Sequence, residues 1–141
     1  MATAAFEEIV ADFEFLEDWE DRYRYVIDQG KTMAPLPDAL KVPATKVDGC
    51  ASQVWLVTET SGDRSDPVMT FRGDSDAHIV RGLVAILLAA ATGRKASDLV
   101  TLDAGLLLDE LGLGEHLTAQ RANGLRSMVE RIKAEAARAS A

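Results

Sequence analysis

The chain has 141 residues, 48% of them apolar, enough to bury a core without metals or disulfides, since a chain of this length hides about two-thirds of its unfolded surface. Its net charge of −8 repels phosphate backbones and no basic cluster offsets it, which argues against nucleic acid as a partner. No apolar run approaches the ~20 residues of a membrane span, and acids interrupt the N-terminal apolar residues as they do not in a signal peptide, so one cytoplasmic domain over residues 1–141 is expected, with no membrane partner.

Phe6, Ile9, Val10, Phe13 and Leu16 recur at helical spacing with Glu7, Glu8, Asp12 and Glu14 opposite, which predicts a first amphipathic helix. A second follows, with Asp18 as N-cap, Glu20 and Asp21 in the dipole-favoured first turn, Trp19, Tyr23, Val26 and Ile27 facing inward, and Gly30 closing it. Pro35, Pro37 and Pro43 then exclude a regular helix and favour an extended crossing over residues 31–46. Residues 53–58, rich in β-branched side chains and tryptophan, read as a strand, residues 59–67 as a long polar turn, and residues 68–72 as a second strand. The nearly continuous apolar run of the first strand predicts cover on both faces.

Gly73, Asp74 and Ser75 offer caps for a helix in which Ile79, Val80, Leu83, Val84, Ile86, Leu87 and Leu88 leave little polar face before Gly93, so it should be the most buried helix. Asp103 caps a short helix ending at Gly112, and Thr118 caps a last one with Leu125, Met128, Val129 and Ile132 inward. The pair Asn123 and Gly124 ordinarily marks a hairpin turn, but here the helical period runs through it. The order defines an α+β class, with helices packed on one face of a small antiparallel sheet.

The single cysteine, Cys50, lies between Gly49 and the strand opening near Ser52 and Gln53. Gly49 permits a positive-φ turn, which places a thiol at a loop tip carried by a rigid strand, within reach of another protein. A thiolate there could attack the outer sulfur of a partner's persulfide by the exchange chemistry of disulfides. An inert core cysteine is the plain alternative. A third reading is a nucleophilic enzyme using Cys50 with His78 or His116 as base, although neither histidine carries a signature. Reactive thiols have a cation or helix N-terminus beside them, and by position Arg121, early in the last helix, and the helix start at Asp74 to Asp76 are the candidates. A zinc site lacks its ligand spacing, and Asp63, Asp66, Asp74 and Asp76 do not match a calcium loop.

The VDGCASQVW block resembles the SufE family of sulfur acceptors. The likeness continues in WEDRYRYVIDQG before it, and in FRGDSDAHIVRGLVAILL and HLTAQRANGLRSM after it, four blocks in order across roughly residues 6–135. The resemblance implies an α+β fold shared with iron–sulfur scaffold proteins. It implies a persulfide carried on Cys50, received from a SufS-type cysteine desulfurase that itself uses pyridoxal phosphate, and passed on to an iron–sulfur scaffold. It further implies an acceptor that binds no cofactor, with Gly49, Ser52, Gln53, Asp74 and Arg121 in the blocks that surround the thiol or meet the partner. A scaffold holds a cluster with several cysteines, whereas a carrier needs one.

Overall fold

The computed structural model describes residues 3–113 and 116–140. Helix α1, Ala4–Phe15, is capped by the Thr3 hydroxyl, which accepts from the Phe6 N–H, and it buries Phe6, Ile9 and Phe13. Helix α2, Trp19–Thr32, is capped by Asp18, whose carboxylate accepts from the Glu20 N–H. Gly30 lies inside α2 and does not close it. Helix α3, His78–Ala91, crosses α2 so closely that a Cβ on Gly82 would meet the Val26 carbonyl oxygen at 2.0 Å, and one on Gly30 would meet the Gly82 nitrogen at 2.8 Å. The two glycines therefore serve backbone contact between helices. That crossing is centred on Val26 and Gly30; Tyr23, a turn earlier and expected inward, is 42% exposed.

The sheet is antiparallel in the order β1 (Val54–Ser61), β2 (Val68–Ser75), β3 (Arg94–Lys95). Both hairpin strands outrun the predicted bounds. At one end, Glu59, Thr60 and Ser61 pair with Thr70, Met69 and Val68, so backbone hydrogen bonds continue where exposed side chains carry no apolar signal, and the turn shrinks to residues 62–67. At the other end, Gly73, Asp74 and Ser75 pair with Leu56, Trp55 and Val54 and belong to β2. They are therefore not the caps of α3, which begins after Ala77 without a side-chain cap. Cover on β1 is also one-sided: Val54 and Leu56 are buried, while Trp55 and Val57 are half-buried, with the Lys41 ammonium 5.2 Å from the Trp55 ring centroid. Opposite them on β2, Met69, Phe71 and Gly73 face the helices, and a Cβ on Gly73 would meet Val84 at 2.8 Å.

As expected, α3 is the central helix, burying Ile79, Leu83, Val84, Ile86, Leu87 and Leu88. Three short elements are absent from the sequence reading, a 3-10 turn over Asp38–Leu40, the two-residue β3 and the single turn α4, Ala96–Leu99. Helix α5, Ala104–Leu111, has the expected Asp103 cap, accepting from Gly105 and Leu106, and closes at Gly112 with φ +65°. Helix α6, Ala119–Ala139, has the expected Thr118 cap, accepting from the Arg121 N–H, and passes unbroken through Asn123 and Gly124. Among the described residues no helix is long and apolar enough to cross a membrane.

Two features aim the cysteine loop. After a 3-10 turn over Asp38–Leu40, the crossing segment runs along the outer edge of β1, where Leu56 donates to the Thr45 carbonyl and Val47 to the Val54 carbonyl, both at 2.8 Å. From the other side Arg131 on α6 donates to the carbonyls of Ala44 (2.6 Å) and Lys46 (3.0 Å), and its Nε pairs with Glu135 at 3.0 Å.

Candidate functional site

Loop 48–52 emerges from that anchored edge. Gly49 has φ +86°, the left-handed conformation its lack of a Cβ favours. Its carbonyl accepts from the Ser127 hydroxyl at 3.4 Å, and a Cβ there would meet Ser127 Oγ at 2.5 Å. The loop folds back so that Cys50 Sγ lies 3.6 Å from the Gly124 carbonyl oxygen, to which the thiol donates. Leaving the loop, Gln53 is gripped by the residue that follows β2: its N–H donates to Asp76 Oδ1 at 3.0 Å, and the Asp76 N–H donates to the Gln53 carbonyl at 3.3 Å.

Cys50 is half-buried at the wall of a cavity of about 160 Å³. Its apolar walls are Val80, Leu83 and Met128, and Ser52, Gln120 and Arg121 bring polar groups to it. Burial pushes the Cys50 thiol above its ordinary value, and the neighbouring Asp48 carboxylate pushes it in the same direction. The resting thiol is thus protonated and sheltered, the reverse of the lowered value expected for a reactive cysteine. Proton loss in this position would set a thiolate against the Gly124 carbonyl and near Asp48.

Of the residues singled out in the sequence, Cys50, Ser52 and Arg121 share the cavity, Gly49 shapes the turn and Gln53 anchors its exit. Asp74 does not line the cavity. It is 2% exposed at the end of β2, where it accepts from the N–H groups of Leu36 (3.0 Å) and Ser75 (2.8 Å) and pairs with Arg81 and with Lys41 (3.4 Å). Burial alone would raise its carboxyl, but those N–H bonds and the two cations outweigh it and hold the group below the usual carboxylate range. Arg81 also donates to the Gly30 carbonyl at 2.7 Å and to that of Met33, so this cluster ties the crossing segment to α2, α3 and β2. Neither histidine lines the cavity: His78 is exposed at the start of α3, and His116 stacks on Trp19 with ring centroids 3.6 Å apart. Among the described residues, neither histidine stands beside Cys50 as the base proposed for a cysteine hydrolase. The sequence reading missed Gly124, Ser127 and Arg131, which face the loop from one stripe of α6; the helical run through Asn123 and Gly124 was the available sign that this glycine serves a close approach.

A sheltered cysteine on an anchored loop, in a helix-covered three-stranded sheet, defines a single-thiol α+β protein, and comparison with known proteins identifies which. Residues 7–136 match the sequence model of SufE, described as an Fe–S metabolism associated domain, so the chain belongs to the SufE family. It is 59% identical over 133 residues to an uncharacterised SufE-like protein of Rhizobium etli, covering 94% of this chain and 90% of the relative. It is 41% identical over 130 residues to the sulfur acceptor protein CsdE of Escherichia coli, covering 92% and 86% respectively. The fold is also similar to the solution structure of a hypothetical protein from Thermus thermophilus, with a TM-score of 0.77 at 18% identity over 99% of this chain and 98% of that one.

Proposed function

We propose that this chain is a sulfur acceptor of iron–sulfur metabolism, that it takes sulfur as a persulfide on Cys50 from a SufS-type cysteine desulfurase, and that it stimulates the desulfurase by doing so. The observation that carries this reading is the placement of the sole cysteine: at a loop tip, anchored on both flanks and folded against its own cavity. Similarity to a protein named as a sulfur acceptor supports the same reading.

In the transfer step the Cys50 thiolate attacks the outer sulfur of the donor's persulfide. A bond forms between Cys50 Sγ and that sulfur, the donor's S–S bond breaks, and the donor cysteine leaves as a thiolate that takes up the proton Cys50 has lost. No net oxidation occurs. Because the thiol is held protonated in its cavity, the thiolate is made after the loop leaves it, on the partner. Returned to the cavity, the persulfide gains shelter from oxidants and reductants in solution until it passes to an iron–sulfur scaffold.

The test mixes the protein with desulfurase and cysteine. The expected results are increased desulfurase turnover and a mass gain of one sulfur atom on Cys50, both abolished in Cys50→Ser with its thermal unfolding unchanged. Full stimulation by the serine variant would overturn the reading.

A further inference from the structure

The cavity around Cys50 does not end the site on the side of Arg121. The Arg121 guanidinium reaches out of the first turn of α6 to within 3.5 Å of the Tyr23 hydroxyl on α2. Beyond Tyr23 lies an open groove of about 550 Å³ lined by Trp19, Glu20, Tyr23, Arg24, Ile27 and His116. Two of its residues, Trp19 and Ile27, also pack against the hydrophobic core, so the floor of the groove is held in place by the fold. Val26 and Gly30 make the contact with α3, while Tyr23 and His116 stand exposed. Trp19, half-buried, presents a ring fixed by the His116 stack, with the Arg22 guanidinium 5.4 Å from its centroid.

We infer that this groove is the part of the desulfurase docking surface that lies beyond the cysteine loop, and that it receives an apolar side chain of the desulfurase. The inference rests on the acceptor reading above. A partner that takes Cys50 into its active site must cover the cavity mouth, and a specific interface buries about 800 Å² on each partner, far more than loop 48–52 offers. The footprint therefore spreads over neighbouring surface. Arg121 makes the groove continuous with the cavity, and preset aromatic rings beside arginines are the composition in which interface energy concentrates. Glu20 and Arg24 line it with charges of both signs, while Trp19, Tyr23 and Ile27 supply the apolar surface that a partner's side chain would meet.

The test titrates a SufS-type desulfurase, with cysteine as substrate, against wild-type and variant acceptor, and reads the half-saturating concentration for stimulation. Tyr23→Ala should raise it about tenfold, the loss typical of truncating an interface aromatic. Its melting temperature should stay put because the ring is exposed. His116→Ala, also exposed, should shift saturation in the same direction. Phe15→Ala, which removes an 85% exposed ring at the end of α1 outside the groove, should saturate as wild type does. Wild-type saturation by both Tyr23→Ala and His116→Ala, with stimulation itself intact, would overturn the groove while leaving the acceptor reading standing. Failure of the wild-type protein to stimulate at all would overturn both.

Discussion

Cys50 and Asp74 show how far a residue's chemistry depends on what is folded around it. The thiol's shelter has a kinetic signature, because alkylation proceeds through the thiolate. Plotted against pH, the alkylation rate of the folded protein should have its midpoint above the ordinary thiol value of 9.0, and mild denaturant at neutral pH should accelerate the reaction. A midpoint at or below that of an unfolded control would refute the sheltered, protonated thiol. The same shift acts on stability: the native state keeps the proton to higher pH than the unfolded chain does, so the contribution is present at neutral pH and is lost as pH climbs past the ordinary thiol range. Asp74 has the opposite sign. Its lowered carboxyl stabilises the fold above the usual carboxylate range and ceases to do so as pH falls through it. Asp74→Asn, which leaves Arg81 and Lys41 facing a neutral group, should cost roughly 3 kcal/mol in chemical denaturation, and a loss below about 1 kcal/mol, the size of a lost cap, would restore the helix-cap assignment. Cys50 was legible because a lone cysteine after a glycine is visible in the sequence. The place of Asp74 was not, because its partners, Leu36 and Lys41 in the crossing segment and Arg81 in α3, are brought to it from two distant parts of the chain by the fold.

At the scale of elements, what could be read was whatever repeats locally. The caps at Asp18, Asp103 and Thr118 and the apolar stripes they introduce are properties of adjacent residues, and the corresponding helices begin where those residues stand. The ends of β1 and β2 and the whole of β3 exist because another strand lies alongside, and exposed residues such as Glu59 or Lys95 record nothing of that neighbour. Gly30 is the clearest case. Read along the chain it resembles a helix end; across the chain it is half of a backbone contact with Gly82. A methyl group on Gly82 would need the space of the Val26 carbonyl, 2.0 Å away, and neither backbone can rotate aside as a side chain would. Gly82→Ala should therefore force α2 and α3 apart and destabilise the protein by at least the roughly 1–3 kcal/mol typical of overpacking, although alanine is the better helix former. Gly62→Ala is the contrast, because nothing lies within 4 Å of its added methyl and only the φ of +82° resists. Equal thermal midpoints for the Gly82 and Gly62 variants would show that the helix crossing is looser than described.

Across the whole molecule, the anchors divide the region around the cysteine into a fixed frame and a short releasable part. Before the loop, Thr45 and Val47 are bonded to β1, and Arg131, steadied by Glu135, holds the carbonyls of Ala44 and Lys46. After it, Gln53 and Asp76 exchange backbone and carboxylate bonds. Between these clamps the loop's bonds to the body run to α6 and are weak: a 3.4 Å contact from Ser127 Oγ to the Gly49 carbonyl, and one from the Cys50 thiol, a poor donor, to the Gly124 carbonyl. Strong bonds at both ends and weak ones in the middle predict an opening unit of residues 48–52, hinged at the clamps, that can deliver Cys50 to a partner without unpairing β1. Native-state hydrogen exchange should show fast amides within 48–52, slow ones at Val47 and Leu56, and a desulfurase-dependent change confined to the first group and to contacted surface. Arg131→Ala should extend fast exchange back to Val47, since it frees two carbonyls of the entering segment, while the amides of α3 stay protected. Exchange at 48–52 as slow as in α3, or opening that carries Leu56 with it in the wild-type protein, would mean that the cysteine moves only with the sheet edge, and the division into frame and loop would be wrong.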